Sequence, residues 1–140
     1  MFRKYRIPTL LVDAGDIFDG TEAIDTQRCQ MNLKAMSLMA YDAVALSQSD
    51  LAYGDAYISG HRDAVSFPFL GESDIHTLPS VLKTVGKTTV ALIHPSNNGE
   101  LPDADILIAL GEQTSAAPRE IDVVISPEEV ELGQQGGRPL

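Results

Sequence analysis

The sequence predicts an α/β domain built around a mixed β-sheet. Three observations predict it. Short β-branched and apolar runs recur at 8–13, 43–46, 81–85, 88–93, 106–110 and 121–125, each closed by a turn-rich stretch. A helical pattern separates the first two runs, and strands dominate afterwards, the order expected of a mixed rather than an all-parallel sheet. The composition suits a folded domain: 140 residues, 44% hydrophobic and 21% charged, is too apolar for a disordered chain and long enough to bury a core.

The first run, Pro8-Thr9-Leu10-Leu11-Val12-Asp13, reads as a short buried strand. Thr21 is placed to cap a helix running to about Ala40, with Ile24, Met31, Ala35 and Leu38 on one face. Three of the four methionines, Met31, Met36 and Met39, lie in this stretch and are read as core filling, because a thioether adapts to irregular gaps. Ala43-Val44-Ala45-Leu46 is a second strand, and residues 47–50 are a loop or a helix start. Phe67-Pro68-Phe69-Leu70 is interrupted by proline, so it reads as an edge strand or extended loop. Residues 81–85 and 88–93 read as a hairpin across Gly86-Lys87, a turn that supplies its glycine first. Residues 106–110 and 121–125 are two further strands, and Asn97-Asn98-Gly99 and Ala116-Ala117-Pro118 are loops. The expected domain covers residues 1–132. A Gly/Gln-rich tail, 133–140, follows, and if it is ordered another chain would have to hold it.

The formal charge of −10 argues against nucleic acid and anionic membranes, which require a Lys/Arg surface. Arg3, Lys4 and Arg6 imitate the start of a signal peptide, but the apolar run behind them is short and ends at Asp13. No apolar run approaches the roughly 18 residues of a membrane span. The expected compartment is the cytoplasm, or the periplasm if the natural start lies upstream. Cys29 is the only cysteine, which excludes an internal disulfide and cysteine-rich zinc sites. In a helix, with no base beside it in sequence, it reads as a buried inert thiol.

Other chemistry-bearing residues have plain readings. Asp13, Asp16 and Asp19 form a carboxylate series, but the spacing is not that of a calcium loop. His61-Arg62-Asp63 reads as an exposed polar turn, and His94 as a polar cap at a strand end. Ser47 and Ser49 lack the nucleophile elbow of serine hydrolases, and there is neither a phosphate loop nor a dinucleotide fingerprint.

At Leu10-Leu11-Val12-Asp13-Ala14-Gly15-Asp16-Ile17-Phe18-Asp19-Gly20-Thr21 the chain resembles the calcineurin-like metallophosphoesterases, and among them the 5′-nucleotidase branch. The likeness continues through residues 36–46, Tyr53-Gly54, 67–70 and 81–93, and ends around 106–110 and 121–125. It implies a reduced form of that family's αββα sandwich. The family's chemistry uses two divalent metals that activate a water and clamp phosphate oxygens. Its ligands are an Asp-x-His, a Gly-Asp, an Asn-His-Glu, a later His and a Gly-His-x-His, all at strand ends.

Most of those positions differ here. The strand carrying the Asp-x-His would precede residue 9, where only eight residues stand. Asp16 retains the Gly-Asp aspartate. The Asn-His-Glu segment falls on Gln48-Ser49-Asp50, the later His on Glu112, and the Gly-His-x-His on Pro127-Glu128-Glu129-Val130. The vestigial metal positions implied are therefore Asp16, Gln48, Ser49, Asp50, Glu112 and Glu128. The resulting expectation is a degenerate, non-catalytic domain with no catalytic residues and no cofactor. It would serve as a binding or assembly subunit, with a protein partner or copies of itself. A missing first strand would leave open backbone at a sheet edge for another subunit to cover. The competing expectation is a phosphoesterase, or a fragment of one, whose reworked all-oxygen site takes Mg²⁺, Mn²⁺ or Ca²⁺.

Overall fold

The computed structural model describes residues 7–72, 77–97, 99–112 and 120–127, and the backbone of 130–132. In chain order the elements are β1 (Val12–Asp13), α1 (Ala23–Leu38), β2 (Ala43–Ala45), α2 (Gln48–Leu51), α3 (Asp55–Arg62), β3 (Phe69–Leu70), β4 (Ser80–Val85), β5 (Thr88–Ile93), β6 (Ile106–Leu110), β7 (Val123–Ile125) and β8 (Val130–Leu132). They make an α/β fold with two sheets. One is parallel, in the order β1-β2-β3; the other is mixed, in the order β4-β5-β6-β7-β8. An isolated bridge between Leu70 and Leu78 runs from the first sheet towards the second.

Period-two alternation builds the layers. On β2, Val44 faces the helices while Ala43 and Ala45 face the second sheet. On β5, Val90 and Leu92 face inward, and Ala91 and Ile93 face outward. The alanines at 14, 43 and 45 keep the intersheet layer thin, so Leu70, Leu92 and Leu110 fill it with no exposure. Each such side chain contributes about 1.5–3 kcal/mol. The first sheet's other face packs against Cys29, Leu33 and Met36 of α1 and Ile58 of α3. The second sheet's outer face is covered by Leu101, Ala104 and Ile121 from connecting segments. Among the described residues no helix lies there.

The hairpin forms as expected, with Val85 opposite Thr88 and Gly86 at φ +66°. Phe69–Leu70 lies at the edge of its sheet, as Pro68 predicts. Several expectations need correction. The first ladder spans only Val12–Asp13 because the Leu11 amide is taken by the Asp42 carboxylate at 3.0 Å. Thr21 is not the cap of α1; Glu22 holds that position, without a side-chain capping bond.

The apolar face of α1 is also not the expected one. Cys29, Leu33 and Met36 are buried, whereas Ile24, Met31, Leu38 and Met39 are exposed and Ala35 lies on the solvent side. The helix carries apolar residues on both faces, and packing against Val44 and Phe69 selected the narrower set. His61 is buried rather than exposed, because α3 turns it into the aromatic cluster of Phe18 and Tyr57. β8 was not legible as a strand; it pairs antiparallel with β7. Glu128, His76, Asn98, residues 116–118, the 133–140 tail and the basic start lie outside the described residues. Among the described residues no helix is long and apolar enough to cross a membrane.

Candidate functional site

The C-terminal ends of β1, β2, β5 and β6 meet at one edge of the molecule. Beyond β1 the chain turns sharply: the Asp13 carboxylate accepts from the Gly15 amide at 3.0 Å. Gly15 has φ +119°, and a Cβ there would stand 3.0 Å from the Ser47 Cβ and amide nitrogen, so this position requires glycine. Asp16 follows at φ +64°, a left-handed conformation that aspartate tolerates.

After β2, Ser47 caps α2. Its hydroxyl accepts from the Asp50 amide and Asp50 returns a bond to the Ser47 amide, a reciprocal capping box. The Ser47-x-x-Asp50 spacing is the sequence signal for this cap. Asp50 is fully buried. Its Oδ2 accepts from the amides of Asp16 (2.8 Å) and Ser47 (2.9 Å) and from the Ser47 hydroxyl (2.8 Å). Its Oδ1 accepts from the amides of Ile17 (2.9 Å) and Phe18 (3.0 Å). One carboxylate thus holds the whole 16–18 turn against α2.

Outside it, the Ser49 hydroxyl donates to Asp16 Oδ1 at 2.9 Å and lies 2.8 Å from the Ser47 hydroxyl. Glu112, at the end of β6, accepts from the Gln48 amide at 3.3 Å. The structure therefore brings Asp16, Gln48, Ser49, Asp50 and Glu112 to one edge, five of the six positions inferred from sequence. It does so through hydroxyl and backbone hydrogen bonds. Among the described residues, no three His, Cys, Asp or Glu side chains come together in a group able to hold a metal ion.

His94, at the end of β5, borders the same edge, and its ring would lie 3.5 Å from a Cβ placed at Gly111. Its Nδ1 lies 2.6 Å from the Ser96 hydroxyl. Burial pushes its pKa below the ordinary imidazole value, offset in part by a hydrogen bond to the Leu46 backbone and by the Glu72 charge. Sequence reading placed His94 at a strand end but did not supply these partners. Behind the edge, burial and the Asp50 charge raise the Cys29 thiol to about 11, so it stays protonated and unreactive. In the adjoining aromatic cluster, His61 Nδ1 faces the Tyr57 carbonyl at 2.8 Å, and its buried Nε2 has no hydrogen-bond partner.

The fold has counterparts among solved structures. A calcineurin-like phosphoesterase from Bacillus subtilis superposes with a TM-score of 0.61 at 19% identity, over 89% of this chain and 60% of that one. The fold is that of the calcineurin-like phosphoesterases. A 5′-nucleotidase precursor from Thermus thermophilus gives 0.62 at 19%, over 80% of this chain and 30% of that one. The NAD nucleotidase of Haemophilus influenzae gives 0.58 at 15%, over 89% and 34%. The chain thus spans less than two thirds of each of these structures. No protein-family model matches it, and no curated protein does.

Among the described residues, several side chains at this edge are already engaged by hydrogen bonds. Asp50 has both oxygens occupied by donors that cannot leave without opening the 16–18 turn. Ser49 presents a hydroxyl already donated to Asp16. His94 is engaged by Ser96 and by the Leu46 backbone.

Proposed function

We propose that the chain is a non-catalytic domain of metallophosphatase fold, serving as a binding or assembly subunit without a metal cofactor. The observation that carries this reading is the Asp50 carboxylate, wholly engaged by four amides and a hydroxyl. A carboxylate used this way organises a loop and offers no lone pair to a cation. The loop-holding framework of the strand-end edge is kept, while the donor set that would ligate metal is replaced. The partner is a protein, because the acidic balance disfavours phosphate-rich ligands.

Calorimetric titration of Mn²⁺, Mg²⁺ and Ca²⁺ into metal-stripped protein tests the reading, together with turnover of a chromogenic phosphate ester. The expected result is no saturable heat at millimolar metal and no turnover. Saturable binding that Asp16→Ala abolishes, accompanied by hydrolysis, would overturn it in favour of a phosphoesterase with an oxygen-ligand site.

A further inference from the structure

Helix α1 is apolar on two opposite faces. One, carrying Cys29, Leu33 and Met36, is in the core. The other carries Ile24, Met31 and Leu38 at seven-residue intervals, with Ala35 and Met39 beside them, and faces solvent. Met31 is 72% exposed and Leu38 81%. A straight helix drifts only about 20° per seven residues, so these side chains form one continuous line.

We propose that this line is the contact through which two copies of the chain pair, with their α1 helices antiparallel across a two-fold axis at Met31. The proposal rests on the assembly reading above and names the partner. The pattern about Met31 is symmetric in chemistry at one, three and seven residues, though not at four to six. Amides flank it at Gln30 and Asn32, basic residues stand three away at Arg28 and Lys34, and apolar residues stand seven away at Ile24 and Leu38. A two-fold interface requires a patch complementary to itself. Antiparallel pairing about Met31 meets that need by setting Ile24 of each copy against Leu38 of the other, and Gln27 beside Lys34.

The area is sufficient. The exposed parts of Ile24, Met31, Leu38 and Met39 amount to on the order of 500 Å², in the upper range for the largest apolar patch of a monomer. Two such patches remove at most about 1,000 Å² when wholly covered, which with a polar margin reaches roughly the 1,200 Å² at which specific interfaces begin. Charge points the same way. The chain carries −10, while α1 has Asp25 against Arg28 and Lys34, so two acidic bodies would meet across a helix that is not itself acidic.

Sedimentation equilibrium of the full chain over about 1–100 µM decides the matter. The wild type is expected to dimerise, and Met31→Glu to weaken the dimer at least about 30-fold, as loss of a central contact does, with circular dichroism unchanged. Met31→Cys is expected to give a covalent dimer under mild oxidation, because residues on a two-fold axis come within disulfide reach, while Leu82→Cys on the second sheet is not. The cysteine variant serves even if the glutamate variant fails to fold. A wild type that stays monomeric throughout, or a dimer indifferent to Met31→Glu, overturns the proposal. The second of those results leaves the assembly reading standing, whereas metal-dependent turnover would remove that reading without moving the dimer.

Discussion

Asp50→Ala should be the most damaging single substitution at the strand-end edge. The Asp50 side chain takes five hydrogen bonds with no exposure to water. Alanine strands the Phe18 and Ser47 amides in a buried setting, each at about 1–3 kcal/mol. The Asp16 and Ile17 amides are partly hydrated and add less. Loss of the capping box weakens α2 as well. The total comes to about 4 kcal/mol, a large fraction of the roughly 5–15 kcal/mol that holds a domain together. Urea unfolding reads it directly: at a slope of about 2 kcal/mol per molar, the midpoint falls by about 2 M. Asp50→Asn should recover about half, because an amide keeps one accepting oxygen but turns an NH₂ towards two N–H donors. A midpoint for Asp50→Ala within about 0.5 M of the wild type would refute the reasoning. So would an asparagine variant as stable as the parent.

Two further outcomes follow from the same edge. Gly15→Ala places a methyl 3.0 Å from Ser47 at a φ of +119°, and should cost about 1–3 kcal/mol, seen as a lowered Tm without change of fold. His94 has a folded pKa below its unfolded one, with burial the main cause. Above the unfolded value, about 6.5, both states are neutral; as pH falls through it the unfolded chain takes up a proton that the folded chain refuses. Stability is therefore lost between about pH 7 and the lower folded pKa, by at most about 1.4 kcal/mol per pH unit. His94→Asn should flatten that slope in chemical unfolding at pH 7, 6 and 5. An unchanged slope would remove His94 as its source.

The strands at 81–85, 88–93 and 106–110 were legible because each is a β-branched or apolar run between clear turns, and Gly86-Lys87 marked the hairpin. The strand-end positions Asp16, Gln48, Ser49, Asp50 and Glu112 were named through the resemblance to the metallophosphoesterases, not through periodicity, and the structure places them at strand ends or the starts of the loops after them. The burial of Asp50 was less so, though the Ser47-x-x-Asp50 capping spacing was its local signal. What sequence could not supply was direction. Helix α1 carries two apolar faces, and periodicity alone does not say which of them meets Val44 and Phe69. His61 belongs to a polar triplet in sequence, yet the rotation of α3 turns its ring against Tyr57.

The chain by itself determined the α/β class, the hairpin and the acidic charge, because these follow from local periodicity, turn chemistry and counts of charge; the strand-end positions came from the family resemblance. Tertiary structure alone decided that Asp50 turns inward to hold a loop and that Met31 faces out. Each depends on which surface a neighbouring element offers, and that neighbour lies tens of residues away in sequence.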